Sequence, residues 1–421
     1  MRQPKILTTL QTYDRQQLRA DLFAGLTVAM VAIPLSIAIA IASGAEPAQG
    51  LVTAIVGGFL ISALGGSRVQ IGGPTGAFIV VVFGIVAEHG YDGLVTATFM
   101  AGFFLLVAGY FRAGRFIDHV PEAVVNGFTI GIAIIIATSQ IRDFLGLAIP
   151  DLPAEFFAKL RALWEARGTL NVTAFGIAMI AMVLIVWFRR IAPRLPGLIV
   201  AVAIASGLAA LGGLSVDTIQ SRFGDLPNGL PRPHLPVLTC ARLAELLPSA
   251  LVIAFLAGTE SLLSAMVADR MIEGHHRPNA ELTAQGAANI ASALFGGLPA
   301  TGAIARTATN IRAGGRTPVA GIVHALKVLV VMLVAAPLAG HLAMPALAAL
   351  LIVTAWNMSE PHKWAEYARA QPGDRALLLL TLVLTVAVDL TVAIGAGVAF
   401  GLALRLWRRR SDGSDWNPPE R

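Results

Sequence analysis

The chain has 421 residues, of which 56% are hydrophobic and only 13% are charged. A soluble domain carries roughly a quarter charged residues and fewer than half apolar ones. The composition therefore indicates an integral membrane protein and excludes most soluble enzyme classes. The single cysteine, Cys240, excludes an intrachain disulfide framework and a cysteine-ligated metal cluster. We attribute the net charge of +6 to membrane topology, not to nucleic-acid binding.

Long apolar runs predict membrane-spanning helices, because a transmembrane β-barrel would alternate apolar with polar residues. A polar segment, residues 1–20, precedes the first run, which is too long for a signal peptide. At about 20 residues per crossing, the runs lie at 22–43, 51–66, 92–111, 120–141, 170–188, 196–213, 246–268, 317–336, 344–357, 375–388 and 391–406. Shorter segments at 74–87, 282–297 and 300–312 bring the total to about fourteen membrane elements.

Basic residues at both ends of the chain predict that both termini lie in the cytoplasm, so the number of crossings is even. These residues are Arg2, Lys5, Arg15 and Arg19 before the first run, and Arg405, Arg408, Arg409 and Arg410 at the end of the last. Most of the remaining arginines and lysines also fall in cytoplasmic stretches when fourteen crossings are drawn. One helix pair more or less would satisfy the same test.

One motif occurs in both halves of the chain. Gly-Gly-Pro-Thr-Gly-Ala at residues 72–77 matches Gly-Gly-Leu-Pro-Ala-Thr-Gly-Ala at residues 296–303, and a short apolar segment follows each copy. If each repeat has an odd number of crossings, the second repeat is inverted relative to the first. Short Gly/Pro-interrupted segments in inverted repeats are typical of the binding site of secondary transporters. The alternative is that Gly and Pro are simply common in membrane helices.

Each copy of the motif predicts a half-helix whose N-terminus faces an anion. Proline fits before or at the first turn of a helix, so Thr75 and Thr301 are predicted as N-caps. Half-helices that enter from opposite sides would meet near the midplane, where their free amides and positive dipole ends converge. Arg306 follows in the second half-helix. A buried arginine there binds the anion, pairs with a carboxylate or snorkels to the cytoplasmic face.

Glu260 lies deep in an apolar helix, with Ser264 one turn later on the same face. A buried carboxyl group is a candidate proton acceptor. We predict that the two side chains hold a coupling proton or, with nearby backbone carbonyls, a sodium ion. A structural ion pair between Glu260 and Arg306 is the alternative.

Other polar residues give weaker signals. For His324, Lys327 and Asp389 a structural role is favoured, and the pair His275-His276 is interpreted as part of a solvated loop. The chain contains no Walker loop, GxSxG elbow or HExxH motif, so ATP hydrolysis and the familiar hydrolase mechanisms are not predicted. We expect no cofactor apart from a co-transported H⁺ or Na⁺.

Further motifs lie at 21–27 (Asp-Leu-Phe-Ala-Gly-Leu-Thr), 65–68 (Gly-Gly-Ser-Arg), 144–147 (Phe-Leu-Gly-Leu), 260–263 (Glu-Ser-Leu-Leu), 296–307 and 355–360 (Ala-Trp-Asn-Met-Ser-Glu). Together with the repeated motif they resemble the sulfate permease (SulP) family over residues 15–410, most closely its bacterial branch of dicarboxylate and bicarbonate carriers. The resemblance implies an all-α membrane fold of about fourteen segments in two inverted seven-segment repeats, at 21–213 and 241–410. Half-helices 3 and 10 meet at the midplane in this fold. Segments 1–4 and 8–11 form a core domain, segments 5–7 and 12–14 form a gate domain, and an elevator-type motion is expected.

The resemblance also assigns residues. In the family, substrate binds between the third and tenth segments. Thr75 and Gly76 match the start of the third segment, and Thr301, Gly302 and Ala303 match the start of the tenth. Arg306 matches an arginine in that segment of animal relatives, and these residues together with Ala77 are the substrate-binding candidates. Glu260 and Ser264 match the positions that bind Na⁺ in bicarbonate carriers of the family. The first segment reads Pro34-Leu35-Ser36, where several anion carriers have glutamine after the proline, so that hydrogen bond to the substrate is absent. Ser36 remains a substrate-binding candidate.

The expected function is secondary active transport of sulfate, bicarbonate or a C4-dicarboxylate. The alternatives are an uncoupled anion channel or exchanger, a voltage-sensing motor, and a nucleobase permease, against which the motifs and Arg306 argue. A membrane-embedded enzyme is least favoured, because no nucleophile–base pair stands out. The expected partners are the anion, the lipid bilayer and, from the family, a second copy of the chain.

The expected location is the bacterial inner membrane. Members of the family carry a cytoplasmic STAS domain, whereas a tail of eleven residues, 411–421, follows Arg410. Either the chain is truncated or it naturally lacks this domain.

Overall fold

The computed structural model describes residues 3–115, 122–192 and 196–388, and also 392, 393, 395–397, 399–401 and 403. These residues form α-helices and one small sheet. The helices are α1 (Lys5–Thr9), α2 (Arg15–Ala42), α3 (Pro47–Val52), α4 (Gly58–Leu64), α5 (Ile79–Tyr110), α6 (Glu122–Leu145), α7 (Phe156–Glu165), α8 (Val172–Ile191), α9 (Gly197–Leu211), α10 (Ile219–Phe223), α11 (Cys240–Ile272), α12 (Pro278–Leu294), α13 (Ile304–Arg312), α14 (Pro318–Gly340), α15 (Met344–Met358), α16 (Trp364–Arg369) and α17 (Pro372–Ala387). The strands are β1 (Gly72–Gly73) and β2 (Thr301–Gly302).

Two short turns complete the helical segments near the sheet. A π-helical turn (Thr53–Gly57) joins α3 to α4, and a 3₁₀ turn (Gly76–Phe78) precedes α5. Single π-helical turns inside α-helices occur frequently at functional sites. This π turn packs against β1 and therefore against the first copy of the repeated motif.

The observed helices occur in the same order as the predicted apolar runs. Within the described residues, seven helical stretches are long and apolar enough to cross a membrane. They are Arg15–Ala42, Pro47–Leu64, Gly76–Tyr110, Glu122–Leu145, Val172–Ile191, Cys240–Ile272 and Pro318–Gly340. The segments predicted to be too short, at 282–297 and 300–312, are α12 with 17 residues and α13 with 9. The tail 411–421 and Asp389 lie outside the described residues, as does much of the last run, 391–406.

A glycine interrupts α5. Gly90 has φ 70° and ψ 178°, a non-helical conformation that residues with a Cβ rarely adopt. The break separates a first half, which follows the motif at 72–77, from a second half that ends at Tyr110. This agrees with the two segments predicted at 74–87 and 92–111.

Helices α5 and α12 pack with their backbones in contact. A Cβ added at Gly102 would lie 2.7 Å from the amide nitrogen of Ile290 and 2.8 Å from the carbonyl oxygen of Gly286. Small residues allow this close approach between membrane helices. The contact fixes α12, and with it the chain that leads into β2, against the second half of α5.

The two copies of the motif meet in an antiparallel strand pair. Gly72 is paired with Gly302 and Gly73 with Thr301. The amide of Ala303 also donates to the carbonyl oxygen of Ile71 at 2.9 Å. Pro74 has no N–H to donate to a strand partner. The pairing brings the start of the 3₁₀ turn before α5 close to the start of α13, as the predicted meeting of half-helices 3 and 10 requires.

Candidate functional site

Helix α13 starts without a side-chain cap. Its N-cap residue is Ala303, which has no side-chain oxygen. The prediction that Thr301 caps this helix is wrong, because Thr301 lies in β2 and its hydroxyl donates to the carbonyl oxygen of Ala257 on α11 at 2.9 Å. The first amides of an α-helix have no partner within the helix. In α13 they therefore remain available to a ligand.

The other half-helix is also uncapped. Thr75 occupies the N-cap position of the 3₁₀ turn, but its side chain makes no capping hydrogen bond, so the predicted cap is wrong here too. Its Oγ1 is buried and has no hydrogen-bond partner among the described residues. A Cβ added at Gly76 would lie 2.8 Å from the Sδ atom of Met358 on α15. Gly76 and the buried Ala77 thus place this end of the half-helix against α15.

Arg306 joins the two copies of the motif. Its side chain is only 1% exposed, and Nη2 donates a hydrogen bond to the carbonyl oxygen of Pro74. Nη1 fills the space that a Cβ at Gly73 would need. Within the described part of the chain, neither Nε nor Nη1 has a hydrogen-bond partner. Buried polar groups are nearly always hydrogen-bonded, so the two free donors point to an acceptor that the protein itself does not supply.

Two further predicted residues belong to elements that form or pack against this region. Ser36 is fully buried on α2, which packs against α13, and its Oγ has no partner among the described residues. Gly302 leaves room for the side chain of Gln70, which occupies the position of the missing Cβ. The strand pair therefore depends on glycine at this position.

The predicted coupling residues have different surroundings. Ser264 is fully buried, and its Oγ donates to Oγ1 of Thr307 at 3.3 Å. Thr307 in turn accepts a hydrogen bond from the amide of Ile71 at 3.1 Å. Glu260 is partly exposed and has neither a hydrogen bond nor an ion pair with another described residue. Glu260 thus presents a free carboxyl group, whereas Ser264 ties α11 to α13.

A fully buried carboxylate that was not predicted from the sequence, Glu281, lies on α12. It accepts hydrogen bonds from the amides of Gly66 (2.8 Å) and Ser67 (3.2 Å) and from the side chains of Gln70 (2.9 Å), Ser261 (3.0 Å) and Gln285 (3.0 Å). Because Gln70 also packs beside Gly302, this network supports the strand pair from behind. The available signal was an acidic residue in the first turn of a helix with glutamine one turn later.

The histidines predicted to lie in a loop, and a cavity on another side of α14, do not belong to this region. In the loop between α11 and α12, His275 is exposed and Nδ1 of His276 lies 2.7 Å from Oδ2 of Asp269. The described residues contain no group of three or more His, Cys, Asp or Glu side chains placed to hold a metal ion. A cavity of about 290 Å³ between α10 and α14 contains none of the predicted site residues.

A helical membrane fold in which two uncapped helix starts meet through a strand pair, beside a buried arginine, is typical of membrane transport proteins. Residues 18–381 match the model of the sulfate permease family, and the chain belongs to this family. Members of this family are transporters, as are the relatives described next. The chain is therefore a transport protein and not an enzyme.

Three similar proteins illustrate the relationship. The putative sulfate transporter YvdB of Bacillus subtilis (strain 168) is 45% identical over 393 residues, 93% of this chain and 73% of that protein. The transmembrane domain of a cyanobacterium bicarbonate transporter, BicA, matches with a TM-score of 0.81 and 32% identity, over 91% of this chain and 99% of that one. The murine anion transporter Slc26a9 matches with a TM-score of 0.86 over 96% of this chain and 71% of that one. Its 18% identity shows similarity of fold alone.

Proposed function

We propose that this chain is a secondary active transporter that carries a small anion across the bacterial inner membrane, with both termini in the cytoplasm. The observation that supports this most is the pair of free donors on Arg306, between two uncapped helix starts. Free amides and the positive ends of helix dipoles favour an anion at this point. Thr75, Gly76 and Ala77 would approach the anion from one side, and Thr301, Gly302 and Ala303 from the other.

The substrate class is a compact oxyanion or carboxylate. Sulfate, bicarbonate and C4-dicarboxylates all present oxygen acceptors to N–H donors. The names of the relatives, a putative sulfate transporter and a bicarbonate transporter, support the first two. The buried guanidinium argues against a neutral nucleobase, because a fixed cation favours a negative ligand.

Glu260 supplies the coupling in this proposal. Ionised, its carboxylate would repel an arriving anion, whereas a bound H⁺ or Na⁺ removes the repulsion. Because the bound H⁺ or Na⁺ neutralises Glu260 and so favours anion binding, the cation and the anion would be transported together. We favour the proton, because the long side chain of Glu260 beside the short side chain of Ser264 would narrow a pocket for Na⁺. The core domain would carry both ions past the gate domain in an elevator-type motion.

Uptake of labelled sulfate into proteoliposomes tests this proposal. We expect uptake to accelerate as the external pH falls. A Glu260→Gln variant should still bind anion but lose the pH dependence, and Glu165→Gln, at an exposed site, should behave like the wild type. Uptake that accelerates with Na⁺ at fixed pH would assign Na⁺ as the coupling ion. A Glu260→Gln variant with wild-type responses to pH and Na⁺ would exclude Glu260 from the mechanism.

The same assay distinguishes the main alternative, an uncoupled anion channel or exchanger. A carrier moves H⁺ or Na⁺ in fixed proportion to the anion, which a pH-sensitive or sodium-sensitive dye inside the vesicles would record. Anion flux with no such movement, or flux that requires an anion on the opposite side, would favour the channel or the exchanger.

A further inference from the structure

An apolar wall, formed by Met358 and Ile136, covers the start of the first half-helix. Met358 is the last residue of α15, and a Cβ added at Gly76 would lie 2.8 Å from its Sδ and 3.6 Å from its Cε. The same Cβ would lie 3.8 Å from Cδ1 of Ile136, a buried residue of α6. Two helices that contribute none of the predicted site residues therefore line the anion site on this side.

The thioether of Met358 takes the space that glycine leaves at position 76. Gly76 has no positive φ, so its backbone conformation is open to a residue with a Cβ. Among the described residues outside the half-helix, the sulfur of Met358 is the one atom that this Cβ would meet at less than ordinary van der Waals distance. The tight contact at the start of the half-helix is thus a contact with one flexible side chain.

The main chain at the end of α15 is fixed, whereas the side chain of Met358 can turn. The hydroxyl of Ser359 donates to the carbonyl oxygen of Trp356 at 2.8 Å. Glu360 follows with φ 45°, and Nζ of Lys363 lies 2.9 Å from its carboxylate. Methionine is unbranched and has three rotatable side-chain bonds, so it adapts to irregular spaces. The thioether can therefore move towards or away from the half-helix without a change in the fold.

The polar groups of the site lie on the half-helices and none lies on the apolar wall. The donors are the free amides of the helix starts, the hydroxyl of Thr75 and the free nitrogens of Arg306. Met358 and Ile136 offer no N–H or O–H group. A compact anion can keep its oxygens on the donor side, whereas a longer dicarboxylate would press its chain and second carboxylate on the wall. An unpaired charge is costly in apolar surroundings.

We propose that Met358 sets the upper size of the anion, so that the site accepts sulfate and bicarbonate and discriminates against C4-dicarboxylates. The inference rests on the proposed function and narrows its substrate class. The thioether turns aside for a compact anion and clashes with a longer one. One methylene more or less in a pocket changes selectivity by about 10- to 200-fold, so removal of this side chain beyond Cβ has a measurable effect.

Calorimetry of the full chain in detergent tests the size limit, with sulfate, bicarbonate and succinate as titrants. At about pH 7.5 sulfate and succinate both carry two negative charges, so they differ in size and not in charge. We expect the wild type to bind sulfate more tightly than succinate. In Met358→Ala the ratio of the two affinities should shift towards succinate by about tenfold or more. Met358→Leu, which nearly conserves the volume, should keep the wild-type ratio.

The matched control is Met344→Ala. Met344 is buried at the opposite end of α15, so its truncation removes the same side chain from the same helix away from the site. This variant should keep the wild-type ratio of affinities even if its melting temperature falls. A shift as large as that of Met358→Ala would assign the effect to lost packing of α15 and overturn the inference.

A double-mutant cycle gives a second measurement. In Gly76→Ala the new Cβ displaces the thioether, so the affinity for sulfate should fall. In the Met358→Ala background this loss should be smaller by at least about twofold, because residues in contact are energetically coupled. Gly84→Ala is the control on the same helix, since an added Cβ there meets nothing within 4 Å. Its effect should be the same in both backgrounds.

Three results would overturn the inference. The first is a wild type that binds succinate at least as tightly as sulfate. The second is an unchanged affinity ratio in Met358→Ala, or in Met358→Val where the alanine variant does not fold. The third is an equal loss from Gly76→Ala in both backgrounds. A wild type that binds none of the three anions contradicts the proposed function itself.

Discussion

Thr75 and Thr301, which the repeated motif aligns, have different surroundings and should respond differently to the same substitution. Thr301→Val removes the hydroxyl that binds the carbonyl oxygen of Ala257, which should cost about 1 kcal/mol of stability. Thr75→Val removes a hydroxyl with no described partner, so stability should be unchanged while anion affinity falls. Thermal unfolding in detergent and anion titration measure the two effects. Equal losses of melting temperature would contradict this distinction.

Glu281 is the residue whose neutralisation should be most damaging outside the anion site. A Glu281→Gln variant replaces one acceptor oxygen by an N–H₂ group that faces donors, among them the amides of Gly66 and Ser67. Each buried group left unsatisfied costs roughly 1–3 kcal/mol, so the melting temperature should fall clearly. Glu165→Gln is the matched control, because Glu165 pairs with Arg161 on an exposed helix face, where such pairs contribute little. Equal melting temperatures for the two variants would contradict the role of the network.

At the scale of elements, α7 is held to its neighbours by a buried lysine. Nζ of Lys159 donates to Oγ of Ser139 on α6 at 2.9 Å and lies 5.3 Å from the centroid of the Phe83 ring on α5. Helix α7 is not among the candidate membrane spans. Burial lowers the pKa of Lys159 from 10.5 to about 8. A single side chain therefore links three helices, although the burial of its charge lowers the stability of the fold.

This cost predicts a pH-dependent stability. Between the lowered pKa and the ordinary one, the unfolded chain binds a proton that the folded chain does not, so stability should rise with pH across this window. At about 1.4 kcal/mol per unit, the full effect is about 3 kcal/mol. In Lys159→Met this contribution should be absent, whereas Lys363→Met should keep it. Thermal unfolding from pH 7 to pH 10 gives the comparison, and parallel curves for Lys159→Met and the wild type would contradict it.

At the scale of the whole molecule, the orientation in the membrane can be tested with the one cysteine. Cys240 is exposed at the start of α11, after the first repeat, and an inside N-terminus places it outside the cell membrane. A membrane-impermeant maleimide should therefore label Cys240 in intact spheroplasts. In a Cys240→Ser background, Gln3→Cys should be labelled only after the membrane is permeabilised. The reverse labelling pattern would show that the N-terminus lies outside the membrane.

Much of the fold could be predicted from the sequence, because hydropathy and Gly/Pro interruptions are local properties. They predicted the order of the helices, the break near Gly90 and the short segments that became α12 and α13. They also directed attention to Arg306, since a charged residue in an apolar segment is costly wherever the chain folds. The membership of the sulfate permease family follows from the same motifs.

The sequence by itself determined the class of protein, the succession of its helices and the two motifs that meet. Only the tertiary structure decided what each polar side chain bonds, because the partners lie far apart along the chain. Thr301 was predicted as a cap from its neighbours, yet its hydroxyl bonds Ala257 on another helix. Glu281 and Gln70 are joined across 211 positions of sequence. The isolation of His324 in the interior likewise depends on packing that no local pattern encodes.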